Sequence, residues 1–215
     1  MSASLVKDLR ERTGAGIKDC VSALAANNND VDKAIDWLRT KGITNAAKKS
    51  GRAAAEGLVE AYIHAGGKIG VILEVNCETD FVALNQSFKD LVKGIAMHIA
   101  ASSPEYVRRE EVPAEAVERE RKVQLERVMA EGKPEAIAQK IVDGRMSKFY
   151  EEVCLLDQKY IKDDSKTVDQ VVKELIASIG ENILVRRFVR YTMGEGLQKR
   201  ADDFAAEVAA QAGIK

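Results

Sequence analysis

Two histidines, three scattered cysteines and the lack of any long apolar run bound what this 215-residue chain can do. So few histidines leave little for acid–base or metal chemistry to converge on. Cys20, Cys77 and Cys154 are odd in number and far apart, which gives neither a disulfide framework nor a zinc spacing. Thiols used this way fit a reducing compartment. No stretch approaches the ~18 apolar residues of a membrane span. The N-terminal "MSASLVKDLRERTG" is charged from residue 7, without an apolar core of signal-peptide length. A one-sided charge is missing as well. The formal net charge is −1 and the pI about 6.2, whereas a chain devoted to nucleic acid carries a strongly basic face. No internal repeat stands out. The expectation is a soluble protein of the cytosol or an organelle interior, 46% apolar and 31% charged, with one good core and a small satellite domain.

Apolar periodicity organises the chain as α+β. Leu5, Val6 and Leu9 stripe a first helix that Gly14-Ala15-Gly16 breaks, and Ile17, Val21 and Leu24 stripe a second. Asp30 can cap a third carrying Val31, Ile35 and Leu38, ended by Gly42, with Trp37 as anchor of this small core. Residues 1–42 thus form a three-helix domain. Residues 43–55, "ITNAAKKSGRAAA", read as a linker, helical in part, whose Lys48, Lys49 and Arg52 are either solvated or available to phosphate. Leu58–His64 and Lys68–Val75 are strand-like runs, with Gly66 and Gly67 supplying the positive φ of a tight hairpin. "GGK" is no phosphate loop, because Tyr62 and Ile69 stand where glycine and Ser or Thr belong.

From Phe81 onward, Leu84, Phe88, Leu91, Ile95 and Ile99 predict one helix laid on the hairpin. Residues 113–152 read as an antiparallel helical hairpin around "EGKP", with Ile137, Ile141, Val142, Met146 and Phe149 on one face. Thr167 and Gln170 make a capping-box pattern for a helix that Gly180 terminates. "NILVRRFVRYT", residues 182–192, is a third strand, and "DDFAAEVAAQAG" a final helix in a C-terminal module, 197–215. The core, 56–196, therefore consists of 56–112 and 153–196 around the helical hairpin: a three-stranded antiparallel sheet with packed helices.

The densest chemistry lies in "LEVNCETDFVALNQSF". A thiol enzyme would pair Cys77 with His64 or His98, but His98 sits inside an apolar helix and reads as a packed imidazole. Cys77, Glu78 and Asp80 as metal ligands point different ways on an extended chain. Arg186, Arg187 and Arg190 either meet phosphate or form a charged outer sheet face. Thr79 and Asp80 are natural caps for a helix beginning at Phe81. On that physics alone, Phe81 is a core contact of the first turn. No cofactor or metal is implied.

The segments "LVKDLRERTGAGIKDC", "VDKAIDWLRTKG", "VILEVNCETDFVA", "AMHIAA", "GENILVRRF" and "DFAAEVAAQ" together resemble the translation elongation factor Ts family over roughly residues 4–210. The resemblance implies a guanine nucleotide exchange factor for GDP-bound elongation factor Tu, with a ubiquitin-associated-like N-terminal domain that docks on the GTPase. It implies that Thr79, Asp80, Phe81 and Val82 dislodge Mg²⁺ from the partner, with Phe81 as an exposed wedge. Partner contacts carried over by resemblance are Arg10, Ile17, His64, Ile179 and Gly180. Two departures stand out. Lys18 replaces an apolar docking residue and Val21 a lysine. The chain also has room for one core subdomain where longer members have two, which implies a homodimer or a two-to-two complex. Neither direct nucleic-acid binding nor a membrane is implied. A rival reading is a ubiquitin-type binding adaptor, although Thr13-Gly14-Ala15-Gly16 lacks that class's hydrophobic–glycine–aromatic loop.

Overall fold

In the computed structural model, which describes residues 2–198, the chain opens with α1 (Ala3–Thr13), α2 (Ile17–Ala26) and α3 (Val31–Lys49). Ser2 caps α1 by accepting from the Leu5 N–H, Gly14 ends it at φ 66°, and Asp30 caps α3 through the Lys33 N–H. The miniature core is Leu9, Cys20, Ala23, Leu24 and Ala34. Its anchors are the fully buried Leu9 and Leu24. Trp37 is only half-buried, under the Lys41 ammonium 4.6 Å from its ring centre, and so is not the anchor expected. The buried stripe of α2 is also rotated from the expected one. Cys20, Ala23 and Leu24 face inward, whereas Ile17 and Val21 are exposed, because the apolar arc is wider than the small core can cover.

Gly42 does not end α3. The helix runs through it to Lys49, so the first residues of the expected linker are helical. A Cβ on Gly42 would lie 3.0 Å from the Ala177 Cβ of α8 (Val168–Ile179), which marks close helix packing rather than a stop signal. Ala46, one turn on, is buried in the main core.

The main sheet has the order β1–β2–β5, all antiparallel: β1 (Glu56–Ile63), β2 (Ile69–Cys77) and β5 (Ile183–Thr192). Gly66 and Gly67, at φ 86° and 68°, turn the hairpin, and the His64 N–H closes it on the Ile69 carbonyl. One sheet face carries Val71, Leu73 and Val75 against Phe88, Val92, Ile95 and Ile99 of α5 (Gln86–Ser102), all buried. Each such side chain contributes about 1.5–3 kcal/mol when fully buried. The expected single helix from Phe81 is two helices: α4 (Asp80–Leu84) stops at Asn85, whose extended backbone (ψ 134°) and side chain, accepting from the Ser87 N–H, start α5 anew. Leu84, assigned to the buried stripe, is exposed as a result.

α6 (Ala114–Ala130) and α7 (Glu135–Val153) form the helical hairpin around Val128, Ala138, Val142 and Met146, with Ile137 left exposed. A short second ribbon, β3 (Lys159–Tyr160) and β4 (Asp163–Thr167), was not foreseen, since only Tyr160 of its residues is buried. Thr167 and Gln170 make both hydrogen bonds of the capping box on α8, and Gly180 ends that helix at φ 90°. The helix expected over "DDFAAEVAAQAG" lies outside the described residues.

His98 is a packed core histidine. Its Nδ1 accepts the Ile161 N–H at 3.2 Å, so Nε2 carries the proton and donates to Gln158 Oε1 at 2.9 Å. Burial pushes its pKa below the ordinary 6.5. The unfolded chain takes up that proton near pH 6.5, so the neutral imidazole's contribution to stability is complete above this pH and is lost as pH falls below it. In an NMR titration, His98 should titrate with a midpoint below 6.5; a midpoint at or above that value would contradict the packed neutral form.

Candidate partner-binding site

At the end of β2 the chain leaves the sheet and enters α4 within three residues. Thr79 is extended (φ −130°, ψ 156°) and caps α4, its hydroxyl accepting the Val82 N–H at 3.4 Å. Asp80 is thus the first helical residue rather than a cap, where its carboxylate favours the positive end of the helix. Val82 and Ala83 face the core, each 7% exposed, while Phe81 is 79% and Leu84 68% exposed. Phe81 is not the core contact that helical position alone suggested. A five-residue helix thus presents an aromatic ring, a leucine and a carboxylate to solvent.

The neighbouring groups exclude the enzymatic and metal readings geometrically. Cys77 is fully buried and its thiol donates to the Thr79 carbonyl at 3.1 Å. Burial, reinforced by the Glu181 carboxylate, raises its pKa, which disfavours the thiolate a nucleophile needs. Neither histidine reaches it. His98 has both ring nitrogens committed elsewhere. His64 is exposed beyond the end of β1, whereas Cys77 pairs with Glu56 at that strand's start, a separation on the order of 20 Å at the usual strand rise. The Glu78 carboxylate is committed to the Asn182 N–H at 2.6 Å and to Arg52 at 3.4 Å. The strand arginines are also accounted for. Arg186 and Arg187 both donate to Glu74 at 2.7 Å, holding its carboxyl below the usual range, and Arg190 turns inward to the Ala100 carbonyl.

Ile179 and Gly180 lie beside α4 in space, because the next residue, Glu181, bonds Thr79 through both its carboxylate oxygens. The residue before them, Ser178, donates to the Gly14 carbonyl at 3.0 Å and so ties the same turn to the N-terminal module. Arg10 and Ile17 are exposed on either side of that Gly14–Gly16 loop. His64, resting against the Tyr62 hydroxyl at 3.2 Å, stays apart at the far end of the sheet. Sequence reasoning raised Glu78 only as a candidate metal ligand and missed Glu181; nothing local marks either as a backbone clasp, because their partners lie 104 and 102 positions away in the chain.

The family described as "Elongation factor TS" matches residues 43–195. An elongation factor Ts from Desulforamulus reducens is 63% identical over 211 residues, 98% of this chain and 97% of that protein. The chain belongs to the elongation factor Ts family. Another elongation factor Ts, from Geobacter sulfurreducens, is 58% identical over 214 residues, 100% of this chain and 99% of its own length, and one from Acetivibrio thermocellus is 57% identical over 211 residues, 98% of each. Elongation factor Ts is the nucleotide exchange factor of elongation factor Tu, so this chain acts in translation elongation on a partner GTPase and is not itself an enzyme. Similarity at this level, spanning nearly the full length, sets aside the adaptor and thiol-enzyme readings.

Proposed function

We propose that the exchange step is carried by α4. Phe81 inserts between helices of elongation factor Tu, and Asp80 disturbs the surroundings of the Mg²⁺ that the partner holds with its nucleotide. Val82 and Thr79 seat and cap the helix that presents them. The observation that carries this reading is the 79% exposure of Phe81 on a helix whose other face is buried. Mg²⁺ neutralises the nucleotide phosphates, so a displaced ion leaves GDP poorly held. Factor and nucleotide then oppose each other reciprocally: the coupling that expels GDP lets incoming GTP expel the factor. A thousandfold acceleration requires about 4 kcal/mol at the barrier, a scale that an aromatic wedge and a disturbed ion site reach together. Release of fluorescent GDP from elongation factor Tu, with and without the protein, tests the activity directly; unchanged release would refute it.

Arg10 and Ile17 dock the N-terminal module, with Ile179 and Gly180 contacting the partner beside α4 and His64 at a separate point. Docking and exchange are then separable. Ile17→Asp, on a side chain 57% exposed, should raise the half-saturating concentration of factor while leaving the maximal GDP-release rate intact. An equal fall of the maximal rate at saturation would contradict that division.

His64 lies far from α4, so one chain does not present all these contacts on one patch. A two-to-two complex resolves this, and the sheet offers the means. Its outer face aligns Ala61, Ile72 and Val189 in one row and Ile63, Gly70 and Tyr191 in the next. Val59, Ile63, Ile72, Val189 and Tyr191 are all exposed there. A solvated sheet face normally alternates to polar residues, and an apolar one is packed on something. A second copy, stacked sheet on sheet about a two-fold axis, is the occupant proposed. The matched relatives are bacterial proteins, and the cytoplasm is the proposed site of action.

A further inference from the structure

Two carboxylates beside α4 cross over one another. Glu78, immediately before Thr79, reaches the β5 end and accepts the Asn182 N–H at 2.6 Å. Glu181, immediately before Asn182, reaches back and accepts the Thr79 N–H at 3.1 Å and the Thr79 hydroxyl at 2.8 Å. Each chain end is thereby held by the side chain of the other, through charge-assisted hydrogen bonds, which are the stronger kind. A third segment joins them. Asn182 Nδ2 donates to the Ser50 and Arg52 carbonyls, just past α3, and Arg52 lies 3.4 Å from Glu78.

The consequence falls on the Thr79 hydroxyl, which has one proton and two lone pairs. Its proton is committed to Glu181, which leaves a lone pair for the Val82 N–H and so fixes the cap of α4. Five residues are too few to hold a helix by propagation, so α4 depends on its ends and on the seating of Val82 and Ala83. We propose that Glu181 is a positioning residue for nucleotide exchange: acting through Thr79, it fixes the start and direction of α4 so that Phe81 and Asp80 meet the partner already oriented. A pre-ordered wedge loses less freedom on reaching the exchange barrier than a loose one, which speeds release without tightening the initial docking. The cost is visible nearby, where the Glu181 charge helps push up the pKa of the buried Cys77 thiol.

This inference rests on the reading of Phe81 as the wedge, and the test separates the two. Full-length Glu181→Ala and Glu181→Gln proteins are titrated against elongation factor Tu loaded with fluorescent GDP. The maximal release rate should fall several-fold in Glu181→Ala, and less in Glu181→Gln, which keeps one acceptor oxygen. The half-saturating concentration should stay near that of the parent, because Arg10 and Ile17 are untouched. In a Phe81→Ala background, Glu181→Ala should cost a smaller fraction of the rate than it does in the parent, since only Asp80 is left for it to orient. Amide exchange at Thr79 and Val82 should quicken in the folded Glu181→Gln protein, which covers the case in which Glu181→Ala fails to fold. A normal maximal rate in the Glu181 variants beside a slow Phe81→Ala protein overturns the positioning role alone. The same fractional loss in both backgrounds also overturns it. A Phe81→Ala protein as fast as the parent removes the wedge itself.

Discussion

Phe81→Ala should slow the release of GDP from elongation factor Tu several-fold while leaving the melting temperature of the protein almost unchanged. The expectation follows from burial. Phe81 is 79% exposed, so its removal opens no cavity, and surface truncations of this kind stay within about 0.5 kcal/mol. Phe88, seven residues on, is the internal control. It is 0% exposed beneath the sheet, and Phe88→Ala should cost about 3–5 kcal/mol through lost burial and the cavity left behind. The two substitutions remove the same atoms from neighbouring helices, and only their exposure differs. Asp80→Ala should also slow release beyond what its stability cost explains. That cost is the loss of a favourable charge in the first turn, about 0.3–1 kcal/mol, rather than of the cap, which belongs to Thr79. If both residues act on one ion site, Phe81→Ala/Asp80→Ala should lose less than the sum of the single losses. A Phe81→Ala protein that melts early yet releases GDP normally in its folded fraction would return Phe81 to the core and end the wedge reading.

Local rules in the sequence reach some of these features and not others. The hairpin was legible because Gly66-Gly67 can adopt a backbone that other residues resist, and the α8 cap because Thr167 and Gln170 are three residues apart. Both are local devices. The exposure of Phe81 was legible only through the family resemblance; its local physics misled, since an apolar residue in a helix's first turn ordinarily packs inward. What turns Phe81 out is tertiary. Val82 and Ala83 take the inward face, and Asn85 ends α4 before the stripe begun by Phe88 can recruit it. Gly42 failed for a similar reason. A glycine after an apolar stripe signals a helix end, but here it lets α3 approach Ala177, a residue no local pattern connects to it. The clasping roles of Glu78 and Glu181 were silent because a solvated carboxylate and one that clasps a distant backbone look alike in sequence. The site is therefore half local and half global: its cap and ring belong to one short motif, while its orientation comes from the α8–β5 turn.

On the proposed sheet-on-sheet pairing, Ile72→Glu should yield a monomer in equilibrium sedimentation where the parent sediments as a dimer, without unfolding the chain. Ile72 sits on the middle strand, between Ala61 of β1 and Val189 of β5, at the centre of the apolar outer face, and is 51% exposed in the single chain. A glutamate is tolerated there as long as water remains. Once a second sheet stacks on this face, the carboxylate is buried without a partner, a penalty of several kcal/mol. A two-fold axis doubles it, because each interface receives both copies of the change, close together near its centre. The existing charges do not rescue it, since Arg186 and Arg187 are already occupied by Glu74. Exchange gives a second readout. If His64 of one copy and α4 of the other serve the same partner molecule, the monomeric variant should need far more protein to reach half-maximal release while its circular dichroism stays that of a folded chain. Ile72→Glu that still sediments as a dimer would place the interface elsewhere, and a parent chain that is monomeric at micromolar concentration would remove the two-to-two arrangement altogether.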